Sequence, residues 1–236
     1  MQHPEFLKVI SDSTSVCSYL PQETSRTPFC VPTNAVSHER FDELMEAGYR
    51  RSGPFYYRTQ CPNCKACEPL RLEVERFKPS RSQRRAATRG RDLQLGVGSP
   101  QVDQLRIDLF NSHRIQRDLA HGDPTPVDRV EYQSFLLNAP NESFELSLWD
   151  EDKLIAISIT DVGRNCLSAV YCFFDPAYSH LSPGTLCILQ QIHIARQLNL
   201  RWLYLGLFVA ENAHLSYKQK FLPNQRLIND RWIDFD

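Results

Sequence analysis

Apolar and polar positions alternate most cleanly over 153–162, where Ile155, Ile157 and Ile159 fall between Ala156, Ser158 and Thr160. That is the period-two pattern of a β-strand with one deeply buried face. The flanking runs at 144–149 and 166–174 are set off by Asp, Gly and Asn turns, and read as neighbouring strands. After Ser182-Pro183-Gly184-Thr185 comes a segment over 186–198 that is apolar on nearly every side. Such a helix must bury itself against a sheet, and 201–206 follows as a short buried strand. Upstream the signals are shorter. Ser37 as N-cap, Phe41, Leu44 and Met45 as apolar positions, and Gly48 as a stop predict a helix over 37–48. Strands are predicted at 55–58 and 70–74. A helix is predicted over 102–119 from Val102, Leu105, Leu109 and Ile115, and another over 128–137. Turn-rich breaks fall at 96–100 and 122–126.

These elements predict an α+β fold in two parts. A small, Cys- and Arg-rich amino-terminal domain over 1–98 precedes a domain over 99–236 with a central mixed sheet. Three meandering strands, a helix opened by a Gly-containing turn, then a strand is the order of GNAT-type acyltransferase cores, an analogy of fold that carries little function.

Composition narrows the class without defining it. The chain has 236 residues, 42% hydrophobic and 23% charged, which excludes collagen, coiled coil and wholesale disorder. Its longest apolar runs fall short of the roughly 20 residues of a membrane helix, and its first residues lack a basic-then-apolar leader. A cytoplasmic monomer with no membrane partner is expected. In a reducing compartment the eight cysteines are metal ligands or buried thiols rather than disulfides.

Three of them form Cys61-x-x-Cys64-x-x-Cys67, two overlapping C-x-x-C spacings, with Cys17 and Cys30 upstream as candidate fourth corners. Thiolates at this spacing converge on a soft cation. One reading is a zinc or iron–sulfur site on Cys17, Cys61, Cys64 and Cys67; the other is a reduced thiol cluster that packs the small domain. Cys166, Cys172 and Cys187 lie among apolar residues and read as buried hydrophobes.

The formal net charge of −1 conceals an asymmetry. Between Gly48 and Arg91, twelve Lys and Arg face three carboxylates, a net of +9, which leaves −10 over the remaining chain. Ser80 to Arg91 holds five arginines and no acid. Arginine's planar fork suits phosphate, so Arg81, Arg84, Arg85 and Arg89 are candidate RNA contacts. An exposed helix whose arginines pair with distant acids is the competing reading.

Together the motifs resemble one family. Gly48-Tyr49-Arg50-Arg51-Ser52-Gly53, Tyr57-Arg58, the cysteine motif and Pro79-Ser80-Arg81-Ser82-Gln83-Arg84-Arg85 are followed in order by Phe174-Asp175-Pro176, Leu181-Ser182-Pro183-Gly184-Thr185, Tyr204-Leu205-Gly206 and Tyr217-Lys218 with Phe221 and Pro223. This set resembles the aminoacyl-tRNA–protein transferases over almost the whole chain. The resemblance implies transfer of an amino acid from charged tRNA to the free amino terminus of a protein, marking it for degradation, on a GNAT-like domain that uses no acetyl-CoA. The compact form with this cysteine motif is similar to the branch that moves leucine to N-terminal Asp or Glu; arginine is the alternative donor. A GNAT acetyltransferase and a non-catalytic RNA-binding metal module are more remote. Three positions depart from the family pattern. Leu20 stands where a cysteine would complete a C-x-x-C with Cys17, Leu207-Phe208-Val209 replaces a more polar aromatic run, and Leu215 stands where Met is common.

Aminolysis of an activated ester needs a neutral α-amine, orientation and oxyanion stabilisation, and requires no cofactor. No Cys–His or Ser–His signature demands a covalent intermediate. Arg50 and Arg51 are candidates to grip the acceptor carboxylate. Asp175 and Tyr204 are candidate catalytic residues. Ser182, Gly184 and Thr185 are candidates to bind the tRNA end or an oxyanion, with Tyr217 to stack on the terminal adenosine and Lys218 to neutralise a phosphate. Of seven histidines, His113, His121 and His214 have no spacing that assigns them a role.

Overall fold

The computed structural model describes residues 3–120 and 123–236, so His121, and Gly122 of the second expected break, lie outside the described residues. The amino-terminal part contains β1 (Leu7–Ser11), a small hairpin of β2 (Thr14–Val16) and β3 (Thr24–Arg26), β4 (Phe29–Pro32), α1 (His38–Glu46), β5 (Arg50–Ser52) and β6 (Phe55–Tyr57). Then follow β7 (Glu68–Glu73), α2 (Arg81–Arg89), β8 (Gln94–Gly98), α3 (Gln104–Gln116) and the short α4 (Arg129–Tyr132). A meander of β9 (Ser143–Asp150), β10 (Lys153–Val162) and β11 (Cys166–Phe174) leads through a 3-10 turn into α5 (Pro183–Gln197) and β12 (Trp202–Phe208). The chain closes with α6 (Ala213–Ser216), a 3-10 turn over Tyr217–Lys220, β13 (Asn224–Ile228) and β14 (Arg231–Phe235).

Local sequence accounts for the helix starts. The Ser37 side chain accepts from the Arg40 amide, as an N-cap must. Ser80 and Gln83 make a reciprocal capping box on α2. The helix expected over 128–137 divides instead: after α4 the backbone widens into a π turn at Gln133–Leu137.

An eight-stranded mixed sheet, ordered β14-β13-β7-β12-β11-β10-β9-β8, carries the core. Only β11 and β12 are parallel neighbours within it; the other pairs are antiparallel. Its strands come from both sides of the boundary expected at 98/99, because β7 sits between β12 and β13, and β8 forms an edge. The break expected at 96–100 is thus partly strand: Gly96 and Gly98 pair with Ser147 and Glu145 of β9. Glycine is needed at 96 because a side chain there would meet the Ser147 hydroxyl, and an edge strand tolerates the loss of packing.

β10 is buried on both faces, where alternation had predicted one. On one face Ile157 and Ile159 pack with Ile107, Phe110, Tyr132 and Leu136 of α3, α4 and the π turn. On the other, Ser158 and Thr160 hydrogen-bond to Gln191 of α5 at 3.1 and 2.8 Å. Each fully buried Leu, Ile or Phe contributes about 1.5–3 kcal/mol, so helices on both faces stabilise the central strands strongly. A second sheet, β1-β4-β6-β5, packs with α1 against the back of the first through Phe41, Leu44, Tyr56, Cys166 and Tyr204.

Candidate active site

The parallel pair does not stay paired. β11 and β12 are in register only over Cys166–Ser168 and Trp202–Tyr204. Beyond that point Ala169–Phe174 and Leu205–Phe208 separate, and a cavity of about 880 Å³ fills the gap. Its apolar wall includes Val170, Ile188, Leu205, Leu207 and Leu215. Two of these, Leu207 and Leu215, are among the positions where the sequence departs from the family pattern.

β5 delivers two adjacent arginines to this cavity with opposite fates. Arg51 is 1% exposed, with Nε and Nη2 donating to the Asp161 carboxylate at 2.7 and 3.1 Å and Nη1 donating to the Gly53 carbonyl at 3.0 Å. That guanidinium is committed to the fold. Arg50 points the other way, since neighbours on a strand alternate sides. Its Nη2 makes one long contact to the Ala169 carbonyl, 3.4 Å, while Nε and Nη1 are buried with no partner. Room for it comes from Gly206, at φ +85°, where any side chain would collide with the guanidinium. A buried donor without a partner is costly, and an arginine cannot shed its charge. The expected acceptor-binding pair therefore splits: Arg50 is available and Arg51 is not.

Lys218 lies beside Arg50. Its Nζ donates to the Leu207 carbonyl at 2.8 Å. Burial, with the charge of Arg50 added, pulls its pKa down to about 7. The lysine expected to neutralise a phosphate therefore stands in the cavity wall. Tyr217 lines the same cavity, its phenol pushed up by burial. His113 and Gln191, to which the sequence assigned nothing, are also in the wall. Burial lowers His113 to about 4, and its Nδ1 accepts from the Phe174 amide at 3.0 Å. Gln191 is fully buried and its Oε1 has no partner. Among the charged lining residues the single carboxylate is Asp118, just past α3.

The α5 start carries Ser182, Gly184 and Thr185 into the cavity wall. Ser182 has left-handed backbone, φ 60°, and its side chain makes no cap bond, so it is not a plain N-cap. Instead it receives Arg89 Nη2 at 3.3 Å. A second recess of about 310 Å³ is lined by Arg85, Arg89, Lys220, Ser182, Thr185 and Tyr217, among others. The α2 arginines thus lead towards the cavity, with Ser182, Thr185 and Tyr217 shared by both spaces. Arg81 and Arg84 sit on the exposed part of the same helix.

Two expected catalytic residues lie elsewhere. Asp175 opens the 3-10 turn before α5, accepts from the Ala177 amide and pairs with Lys153 at 2.8 Å, which holds its pKa low. The Tyr204 hydroxyl accepts from Arg71 at 3.0 Å on the opposite side of the sheet. The cysteines come together in part. Cys17, Cys64 and Cys67 pack around Leu20 and Val209, and burial together with Cys17, Cys61 and Cys64 pushes the Cys67 thiol up to about 12. Cys30 is apart, beside His3. Among the described residues no group of three or more His, Cys, Asp or Glu side chains has the arrangement a metal ion requires. The cluster packs under Tyr19 and Leu215, two residues of the cavity wall.

The cavity thus opens between parted strands, holds two unpartnered Arg50 nitrogens, and adjoins a recess lined by Arg85 and Arg89 of α2. Residues 15–85 match the model for the amino terminus of arginine-tRNA-protein transferase, and 106–228 match that for its carboxyl terminus. Among curated relatives, the aspartate/glutamate leucyltransferase of Aeromonas hydrophila is 36% identical over 100% of this chain and 98% of its own. That of Pseudomonas fluorescens is 37% identical over 96% of each chain, and that of Vibrio campbellii 37% over 92% of each. The solved structure of L-PGS from Bacillus licheniformis is similar over 72% of this chain and 59% of that one, at 13% identity and a TM-score of 0.47. The chain belongs to the arginine-tRNA-protein transferase family. Among the described residues no helix is long and apolar enough to cross a membrane.

Proposed function

We propose that this chain transfers leucine from leucyl-tRNA to the α-amine of proteins that begin with Asp or Glu. The observation that carries the reading is the pair of buried, unpartnered Arg50 nitrogens in a cavity whose lining holds a single carboxylate, Asp118. The acceptor's side-chain carboxylate takes one edge of the Arg50 guanidinium as a two-pronged partner, Nη2 together with either Nε or Nη1. A leucyl side chain meets Ile188, Leu205, Leu207 and Leu215, and gains the transfer energy of burial. An arginyl donor would bring a second guanidinium beside Arg50, with only Asp118 in the lining to answer it.

The tRNA approaches along α2. Among the described residues none of Arg81, Arg84, Arg85 and Arg89 forms an ion pair, so these cations are available to phosphates. Tyr217 lines both the recess and the cavity, and in this reading its ring stacks on the terminal adenosine. The ester arrives already activated, so holding amine and carbonyl together supplies most of the acceleration. No cofactor is needed for that step.

The test is an Asp-initiated peptide incubated with labelled leucyl-tRNA, arginyl-tRNA or acetyl-CoA. Label is expected on the peptide from leucyl-tRNA. Preferential transfer from arginyl-tRNA or acetyl-CoA would overturn the assignment.

A further inference from the structure

We propose that Lys218, acting as a neutral amine, is the catalytic base that deprotonates the acceptor's α-ammonium. This inference rests on the transfer reaction above and assigns its proton.

Two basic side chains share one enclosed wall here, and neither has a carboxylate partner. Arg50 has two buried nitrogens without a hydrogen bond, and Lys218 has a single carbonyl contact. Two adjacent positive charges in a largely apolar cavity repel and are poorly solvated. Arginine stays charged in proteins, so the lysine is the partner that gives up its proton. Desolvation and Arg50 bring Lys218 to about 7, the range in which a base works best near neutral pH. Once neutral, Nζ keeps an N–H for the Leu207 carbonyl and presents a lone pair.

The surroundings leave few competitors. From α3, His113 is held near 4 by burial and is too weak a base, and Arg117 and Asp118 stand near it in the lining. Arg51 is closed by Asp161. The phenols of Tyr19 and Tyr217 and the Cys187 thiol are all pushed up, so they stay protonated. Tyr171 is likewise pushed up by burial, and Tyr57, Cys172 and His214 complete the titratable lining; His214 is exposed and leans on Arg117 at 3.5 Å.

The step balances as follows. With its carboxylate on Arg50, the acceptor passes one proton from its α-ammonium to Nζ. The freed amine forms the new C–N bond at the leucyl carbonyl carbon. As the C–O bond to the terminal ribose breaks, Nζ–H protonates the departing oxygen, and the second proton of the attacking nitrogen leaves to solvent. The products are an amide, a ribose hydroxyl and one released proton.

Protonated Lys218 cannot act, so the single-turnover rate with saturating Asp peptide should fall tenfold per pH unit below about 7 and level off above it. In Lys218→Met that rate should drop about 10²–10⁴-fold, with the remainder following the acceptor's own α-amine at about 7.7–8.0. Lys218→Arg puts a permanent cation where the neutral base stood, and should be as slow as Met; an Arg variant at wild-type rate would overturn the proposal. His214→Gln should leave the acid limb where it is; loss of the limb in that variant would reassign the base. Independently of activity, the Lys218 ¹³Cε resonance of the wild-type protein should titrate near 7, and titration near 10.5 would refute the role. A wild-type protein that moves no leucine would instead defeat the donor assignment, and the NMR titration still reads Lys218.

Discussion

Two arginines lie against the main sheet, and their sites are opposites in character. Arg71 lies between the rings of Trp202 and Trp232, at 3.8 and 4.0 Å. It donates to Gln225 and Tyr204 and is paired with Glu46. Arg50, by contrast, has one long contact and two nitrogens without a partner. The first guanidinium is stabilised by stacking and by compensated charge. The second retains its need for an anion. A cation the fold satisfies holds secondary structure together; one it leaves unsatisfied selects a ligand.

The largest effect that sharpens this contrast is at Arg50. Arg50→Met should cost about 10²–10³-fold in kcat/KM for an Asp peptide, from the roughly 2–5 kcal/mol of a desolvated charge pair, while urea unfolding shows no loss of stability. A clear drop in unfolding midpoint would make Arg50 structural after all. The neighbouring residue should behave in reverse. Arg51→Met strands Asp161 without its cation and should destabilise by about 3–5 kcal/mol in the same unfolding experiment. If it unfolds like wild type, the division between the two arginines is wrong. A smaller effect is expected on α2, where Arg84→Glu with Arg85→Glu should weaken tRNA binding and flatten its salt dependence by about two phosphate contacts. Acceptor KM should barely move, and an unchanged tRNA Kd would remove α2 from the tRNA path. Smallest is Leu215→Met, a volume-conserving change in the apolar wall. Leucine transfer should stay within about threefold by kcat/KM, and complete loss would mean that shape, not apolarity, selects the donor.

Much of the carboxyl-terminal fold is legible in the sequence because period and burial agree there. The meander and α5 fall within a few residues of their predicted spans. The terminal hairpin β13–β14 and the placement of β7 are not, because they depend on pairing between segments far apart in sequence. The site was legible in its parts and not in its partners. Arg50 and Arg51 look identical along the chain, and only Asp161, brought in by β10, separates them. The excess of +9 is likewise reduced by folding. Arg51, Arg58, Arg71, Arg76 and Arg91 are each paired with a carboxylate from outside the basic segment's own three. What remains unpaired is concentrated on α2 and in the cavity. Gln191 gave no signal at all, since a glutamine in an apolar helix becomes notable only when its oxygen lacks a partner.

The position of β7 bears on how the enzyme comes into being. β12, which forms one wall of the cavity, is held on its far side by a strand made more than a hundred residues earlier. During synthesis β7 must wait, its edge unfilled, until β12 and then β13 emerge. Long-range pairing of this kind forms late. Neither Arg50 nor the α2 arginines can meet a finished cavity before then, so a truncated chain carries the basic segment without the pocket it adjoins.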